Sequence, residues 1–176
     1  MRIPYRFIVA LLLLPLGAAA QETPKAELFG GYSHLVGNVG DSSFNLNGVD
    51  GSVTENVNKW FGGTLDISSQ FGTEAKYKVN SQTIAYGPVF SYRKNRKAVP
   101  FAHAMLGAVR GSSEYLGISQ SEYRFGVLAG GGVDVKLNER VFLRVLQVDY
   151  LMTRFSGERQ DNIRISAGLV FRFGQK

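Results

Sequence analysis

Ser166-Ala167-Gly168-Leu169-Val170-Phe171-Arg172-Phe173 alternates small or polar side chains with apolar or aromatic ones and closes on an aromatic. Successive side chains of a strand point to opposite faces. Ile163, Ile165, Ala167, Leu169, Phe171 and Phe173 therefore share one face, and Asn162, Arg164, Ser166, Gly168, Val170 and Arg172 share the other. The first face suits hydrocarbon and the second a polar interior. An amphipathic strand on a sandwich core has the same period, so the rest of the chain has to decide.

At the other end, Arg2 and Arg6 precede the apolar run Phe7 to Leu16, which is followed by Gly17-Ala18-Ala19-Ala20-Gln21. A basic start, a short apolar middle and a small-residue exit read as a secretory signal peptide over residues 1–20, cut after Ala18, Ala19 or Ala20. The run is about half the roughly 20 residues that a spanning helix needs. Its removal leaves 156 of 176 residues and takes away two arginines and no acids, so the formal charge falls from +6 to +4. Such a balance is too mild to imply an acidic partner. With no cysteine, an exported chain cannot be stapled by disulfides and has to rely on its hydrogen-bond network or its core.

The length suits one domain, residues 21–176, without a linker or low-complexity block. Past the leader no stretch of eighteen apolar residues occurs, which excludes helical membrane spans but not strands. Alternation and turn residues predict strands over 25–35, 48–58, 60–69, 81–93, 99–110, 122–135, 140–153 and 162–173. Polar segments of eight to twelve residues, 36–47, 70–80, 111–121 and 154–161, follow the odd strands, and tight turns follow the even ones. That asymmetry predicts a closed eight-stranded antiparallel up-and-down transmembrane β-barrel, all-β in class.

The apolar faces are consistent along most strands. Ile84, Tyr86, Pro88, Phe90 and Tyr92 oppose Thr83, Ala85, Gly87, Val89 and Ser91; Tyr123, Phe125, Val127 and Ala129 oppose Arg124, Gly126 and Gly130; Phe142, Leu146, Val148, Tyr150 and Met152 oppose Val145, Gln147 and Asp149. Over 99–110 both parities carry apolar residues, and His103 selects the inward one because an imidazole is costly in lipid. On the second strand Glu55 shares the outward parity of Val49, Val53 and Val57 and is expected at the turn-side rim. Aromatic girdles are expected at Trp60, Phe61, Tyr92, Phe142, Phe171 and Phe173 near the short turns and at Tyr32, Phe71, Tyr123 and Tyr150 towards the other end, with Arg144 and Lys59 snorkelling outward from the turn side.

Several runs carry a family resemblance: Glu27-Leu28-Phe29-Gly30-Gly31-Tyr32-Ser33, Asn45-Leu46-Asn47-Gly48, Gly130-Gly131-Gly132-Val133-Asp134, Gln147-Val148-Asp149-Tyr150 and the closing strand. Over nearly all of residues 25–173 the chain resembles the small porin-like or OmpA-like outer-membrane β-barrel proteins. Ser166, Gly168, Phe171 and Phe173 also resemble the C-terminal signal by which such barrels are recognised for assembly. The resemblance implies an outer-membrane location, lipids and the barrel assembly machinery as partners, and a monomer. It leaves any surface partner open. A lipocalin-like calyx is the soluble competitor, but it needs an apolar interior and usually opens on a Gly-x-Trp motif, and the single tryptophan here is Trp60.

The inward parities collect Glu27, Asp66, His103, Arg124, Asp134, Gln147, Asp149, Arg164 and Arg172. Eight strands enclose only enough room for side chains, and an unpartnered buried charge costs several kcal/mol. The expected function is accordingly a non-catalytic outer-membrane barrel with a polar, side-chain-filled lumen and short surface loops. A narrow porin-like channel would use the same charges. A lipid-modifying hydrolase would need a base and an orienting group beside its nucleophile, whereas His34 on the first strand and Ser112, Ser113 and Glu114 at the upper end of the fifth and in its loop lie on opposite sides of an eight-membered ring. Metal and cofactor sites are not expected: there is no HExxH motif and no histidine pair at ligand spacing, and Asp41, Asn47 and Asp50 do not match a calcium loop. Arg93, Lys94, Arg96 and Lys97 form a basic turn without interleaved aromatics, so nucleic acid is not an expected partner.

Leu169→Arg places a cation on the face assigned to hydrocarbon. It should cost about 2–4 kcal/mol near the bilayer midplane and lower the folded fraction on a heat-modifiability gel, whereas a soluble strand would accept it in detergent-free buffer.

Overall fold

Alternating side chains let each strand present one face outward and one inward, and the ladder continues until no partner remains. The computed structural model describes residues 23–175 except 40–41, 75–76, 96, 116–117 and 156–157, so the leader assigned to 1–20 lies outside the described residues. All its elements are strands: β1 (Pro24–Val39), β2 (Ser42–Asn56), β3 (Phe61–Glu74), β4 (Tyr77–Ser91), β5 (Ala98–Tyr115), β6 (Ile118–Lys136), β7 (Val141–Phe155) and β8 (Glu158–Gln175). Each pairs antiparallel with its chain neighbours, and β8 returns to β1, closing the barrel.

The closure has a measurable stagger. Across the ladders from Leu35 of β1, the facing residues run Arg164, Asp149, Gly130, His103, Val89, Gly62 and Asn56. Asn56 lies one residue beyond the Ala26–Glu55 pair, so the circuit re-enters β1 at Lys25, ten residues from its start. In an eight-stranded ring such a stagger implies strands tilted by about 40° to the axis.

Outward positions form an apolar band that includes Val49 and Val53 of β2, Leu65 and Ile67 of β3, Ile84 and Tyr86 of β4, Leu106 of β5, Phe125 of β6, and Ile163, Ile165 and Leu169 of β8, all exposed at the barrel wall. His103, Met105 and Val109 face inward and Ala102, Ala104, Leu106 and Ala108 outward, in the parity that the histidine selected. Glu55 is exposed one residue before the end of β2, beside the turn at 57–60.

Two expectations are corrected. The polar segments of eight to twelve residues after the odd strands are almost entirely strand, and only 40–41, 75–76, 116–117 and 156–157 separate the paired strands there. The ladders run on to Val39↔Ser42, Glu74↔Tyr77, Tyr115↔Ile118 and Phe155↔Glu158. Outward positions in these extensions become polar, as at Ser43, Asn45, Asn47, Lys78 and Gln82. Loss of apolar alternation marks the edge of the band, whereas the hydrogen bonds continue past it. At the opposite end the connections are the turns 57–60, 92–97 and 137–140, in which Asn58, Asn95 and Asn138 each accept backbone N–H bonds through Oδ1.

The second correction concerns β7. Register shifts between Val133 and Asp134 on β6 and between Arg144 and Gln147 on β7 mark a bulge. Val145 and Leu146 both face outward, at 47 % and 48 % exposure, so parity reverses below them. Phe142, expected in the girdle, is buried inside, and so is Arg144, expected to snorkel outward. Trp60, Tyr92, Phe171 and Phe173 remain exposed on the turn side, and Tyr32, Phe71, Tyr123 and Tyr150 are exposed farther along their strands.

The absence of cysteine allows this bulge to be tested directly. Val145→Cys and Leu146→Cys, spin-labelled in lipid, should both be relaxed by oxygen, while Gln147→Cys should be shielded. Alternating accessibility at 145 and 146 would remove the bulge.

Candidate functional site

A chain of paired charges runs through the barrel interior. At its centre Arg164 donates from Nη1 and Nη2 to the two Asp66 oxygens at 2.8 and 3.1 Å, and from Nε and Nη2 to Asp149 Oδ2 at 3.0 and 2.7 Å. Asp50 lies 3.6 Å from the same guanidinium and accepts a bond from Ser166 Oγ at 2.7 Å. Asp149 is also bonded to His103 Nε2 and accepts from Gln147 Nε2, each at 2.7 Å. Arg164, Asp66 and Asp149 are essentially inaccessible to solvent.

The ring stagger accounts for this convergence. Arg164, Asp149, Gly130 and His103 occupy one row across β8, β7, β6 and β5. Asp149 and His103 are two strands apart, and the intervening position is Gly130. A Cβ built there would collide with Asp149 Oδ1 and with Val148 O. The missing side chain is the passage through which the carboxylate reaches the imidazole.

Towards the turns, Arg144 Nη1 donates to Gln147 Oε1 at 2.7 Å, and its Nε and Nη2 donate to Asp134 at 2.8 and 3.2 Å. Its guanidinium also lies 4.3 Å from the Phe29 ring centroid and 4.2 Å from that of Phe101, a geometry that suits a desolvated arginine. Arg172 then links Asp134, at 3.9 Å, to Glu27 Oε2, at 2.9 Å. Glu27 Oε1 accepts from Arg93 at 2.5 Å and from Asn56 at 2.7 Å. The row is bounded on one side by Leu35, Leu46, Met105, Val109, Leu128 and Leu151 and on the other by Phe29, Val99, Phe142 and Val170.

Of the residues singled out from the sequence, Glu27, Asp66, His103, Asp134, Gln147, Asp149, Arg164 and Arg172 come together in this chain. Arg124 does not. Its side chain is one-third exposed near the far end of β6, and it pairs with its strand neighbour Glu122. Three charged members are missing from that set. Asp50 falls within the strand expected over 48–58 but stands out there only as a calcium candidate, Arg144 is hidden by the bulge, and Arg93 looks like part of a solvated basic turn. Asp50 and Arg93 did carry a parity signal, the first matching Ser52 and the second matching Ser91.

His34, the candidate base, is bonded through Nδ1 to Asn47 Oδ1 at 2.8 Å, which also accepts from Tyr32 Oη. It lies on β1, across the ring from Ser112 on β5, and the side chains of Ser113 and Glu114 lie outside the described residues. Among the described residues, no group of three His, Asp or Glu side chains is arranged to hold a metal ion. Asp41 lies outside them.

The family model described as "Outer membrane protein beta-barrel domain" matches residues 7–173. Among solved structures, Neisserial surface protein A is similar with a TM-score of 0.75 at 14% identity, over 85% of this chain and 97% of that one. The attachment invasion locus protein of Yersinia pestis gives 0.60 at 15% identity, over 84% and 99%. OprG from Pseudomonas aeruginosa gives 0.58 at 10% identity, over 88% and 98%. At these identities the likeness is one of fold. No curated protein matches the chain.

Arg164→Met would leave Asp50, Asp66 and Asp149 facing one another without their shared cation. Stranding buried charge in this way costs about 3–5 kcal/mol. The urea midpoint of the refolded barrel should fall accordingly, and adding Asp66→Asn and Asp149→Asn should recover most of the loss. Equal midpoints for Arg164→Met and the parent would show that the pairs contribute nothing.

Proposed function

From the premise that this chain belongs to the outer membrane protein β-barrel domain family, we propose that it is a non-catalytic integral barrel whose lumen is plugged by its own side chains. In this reading the leader over residues 1–20 is removed on export, and the remaining chain crosses the outer membrane eight times as a monomer. The apolar band meets lipid, and Ser166, Gly168, Phe171 and Phe173 present the assembly signal.

The observation that carries the reading is the series of hydrogen-bonded and ion-paired side chains from Ser166 and Asp50 through Arg164, Asp149, Gln147, Arg144 and Asp134 to Arg172 and Glu27. Five carboxylates face four guanidiniums and one imidazole along that series, so little charge is left to draw ions through. A cavity beside it, lined by Glu27, Asp66, His103 and Arg144 among others, measures about 20 Å³, which is room for one water. Leu35, Leu46, Met105, Leu128 and Leu151 fill the bore towards the far end. The setting of His34, bonded to Asn47 and remote from Ser112, supports a role at the barrel surface over one in catalysis.

Planar-bilayer recording of the refolded protein distinguishes the plug from a narrow channel. The parent should conduct little, and Asp149→Ala and Arg164→Ala should each raise the frequency of openings. Steady ion-selective currents from the parent would favour the channel, and fatty-acid release from outer-membrane lipid that is lost in His34→Ala would make the protein a hydrolase.

A further inference from the structure

We propose that the turn-side mouth of the barrel is a binding site for a phosphate-type oxyanion. The mouth is an open cavity of about 1440 Å³. Among the described residues six cations line it: Lys59, Arg93, Lys94, Lys136, Arg140 and Arg172. The acids nearest to them are few. Glu139 is engaged by Lys136 at 2.5 Å, and at the floor Glu27 alone is shared by Arg93 and Arg172.

The two floor arginines carry the argument. Arg93 uses Nη2 on Glu27, Asn56 and Ser91, while its Nε and Nη1 are buried without a hydrogen-bond partner among the described residues. Arg172 uses Nε on Glu27, and its buried Nη2 has no hydrogen bond, with Asp134 standing off at 3.9 Å. The Arg172 side chain is only 10 % exposed, and its guanidinium lies 3.5 Å from the Phe142 ring centroid, which fixes its plane. Buried donors left unmade are costly, and paired guanidinium forks match the geometry of phosphate oxygens better than any other side chain does. A concave wall of predominantly positive charge also concentrates its field on the opening and raises the local concentration of anions. A tetrahedral anion with several oxygens would meet Lys59, Lys94 and Arg140 at the rim, and a rotation of Arg93 and Arg172 at the floor would turn their three spare donors to it. Its source is either the headgroup of a lipid in the surrounding leaflet or a soluble phosphorylated molecule.

Trp60 is the only tryptophan and lines this cavity, so it reports occupancy. The refolded full chain in neutral detergent micelles is titrated at constant ionic strength with inorganic pyrophosphate, and separately with micelles carrying short-chain phosphatidylglycerol or phosphatidylcholine. A saturable change in Trp60 emission is expected, with half-saturation raised about tenfold or more in the rim double variant Lys94→Gln/Arg140→Gln, whose side chains are exposed and stabilise no buried pair. Arg124→Gln, at the other end, should leave the titration unchanged. Saturation by phosphatidylglycerol but not phosphatidylcholine identifies a headgroup as the source, and saturation by pyrophosphate alone identifies a soluble ligand. Absence of saturation with both phosphate probes, or a response that the rim variant leaves intact, would overturn the proposal.

Discussion

The ladder has to close, and the register in which it closes determines everything inside. In hydrocarbon an unpaired N–H or C=O has no solvent to turn to, so β8 must find β1. Closing with a ten-residue stagger sets Arg164, Asp149, Gly130 and His103 on one row although they come from four strands. The ion pairs are a product of that row. They also protect it, because a one-residue slip of β8 would turn Arg164 to lipid and Ile163 into the lumen.

Buried pairs of this kind add little net stability over a well-packed apolar core, but losing one partner is expensive. The interior is arranged accordingly. Each guanidinium of the central chain has carboxylates at its edges, and Arg144 has aromatic rings at its faces as well. Apolar side chains stop the bore above and below. At the mouth the pairing is thinner, and two arginines share one carboxylate.

Period-two alternation made the eight strands and most inward parities legible, because burial on one side and lipid on the other act on every second residue. Four features were not legible. Strand length beyond the band carries no apolar signal, since hydrogen bonding continues in water with any side chain. This makes residues 42–47, the start of β2, look like part of a loop. The bulge at Val145 and Leu146 breaks the parity on which the reading rests, which sent Phe142 and Arg144 to the wrong face. Arg93 looked like one more cation of a basic turn, and its bond to Glu27, 66 positions away, depends on ring closure that no local pattern encodes. The importance of Gly130 was likewise invisible until its cross-strand neighbours were known.

The far ends of the strands have a consequence for adaptability. There the wall runs past the apolar band as paired backbone, with only two residues between partners at each crossing. Such an end is a set of four clamped hairpin stems that need no help from their connections to stay in register. Added length at a stem tip would be inexpensive, since each doubling of a flexible loop costs only about 0.6 kcal/mol in closure entropy. The same barrel can therefore carry short tips or long grafted ones, and display new sequence without disturbing the row of charges below.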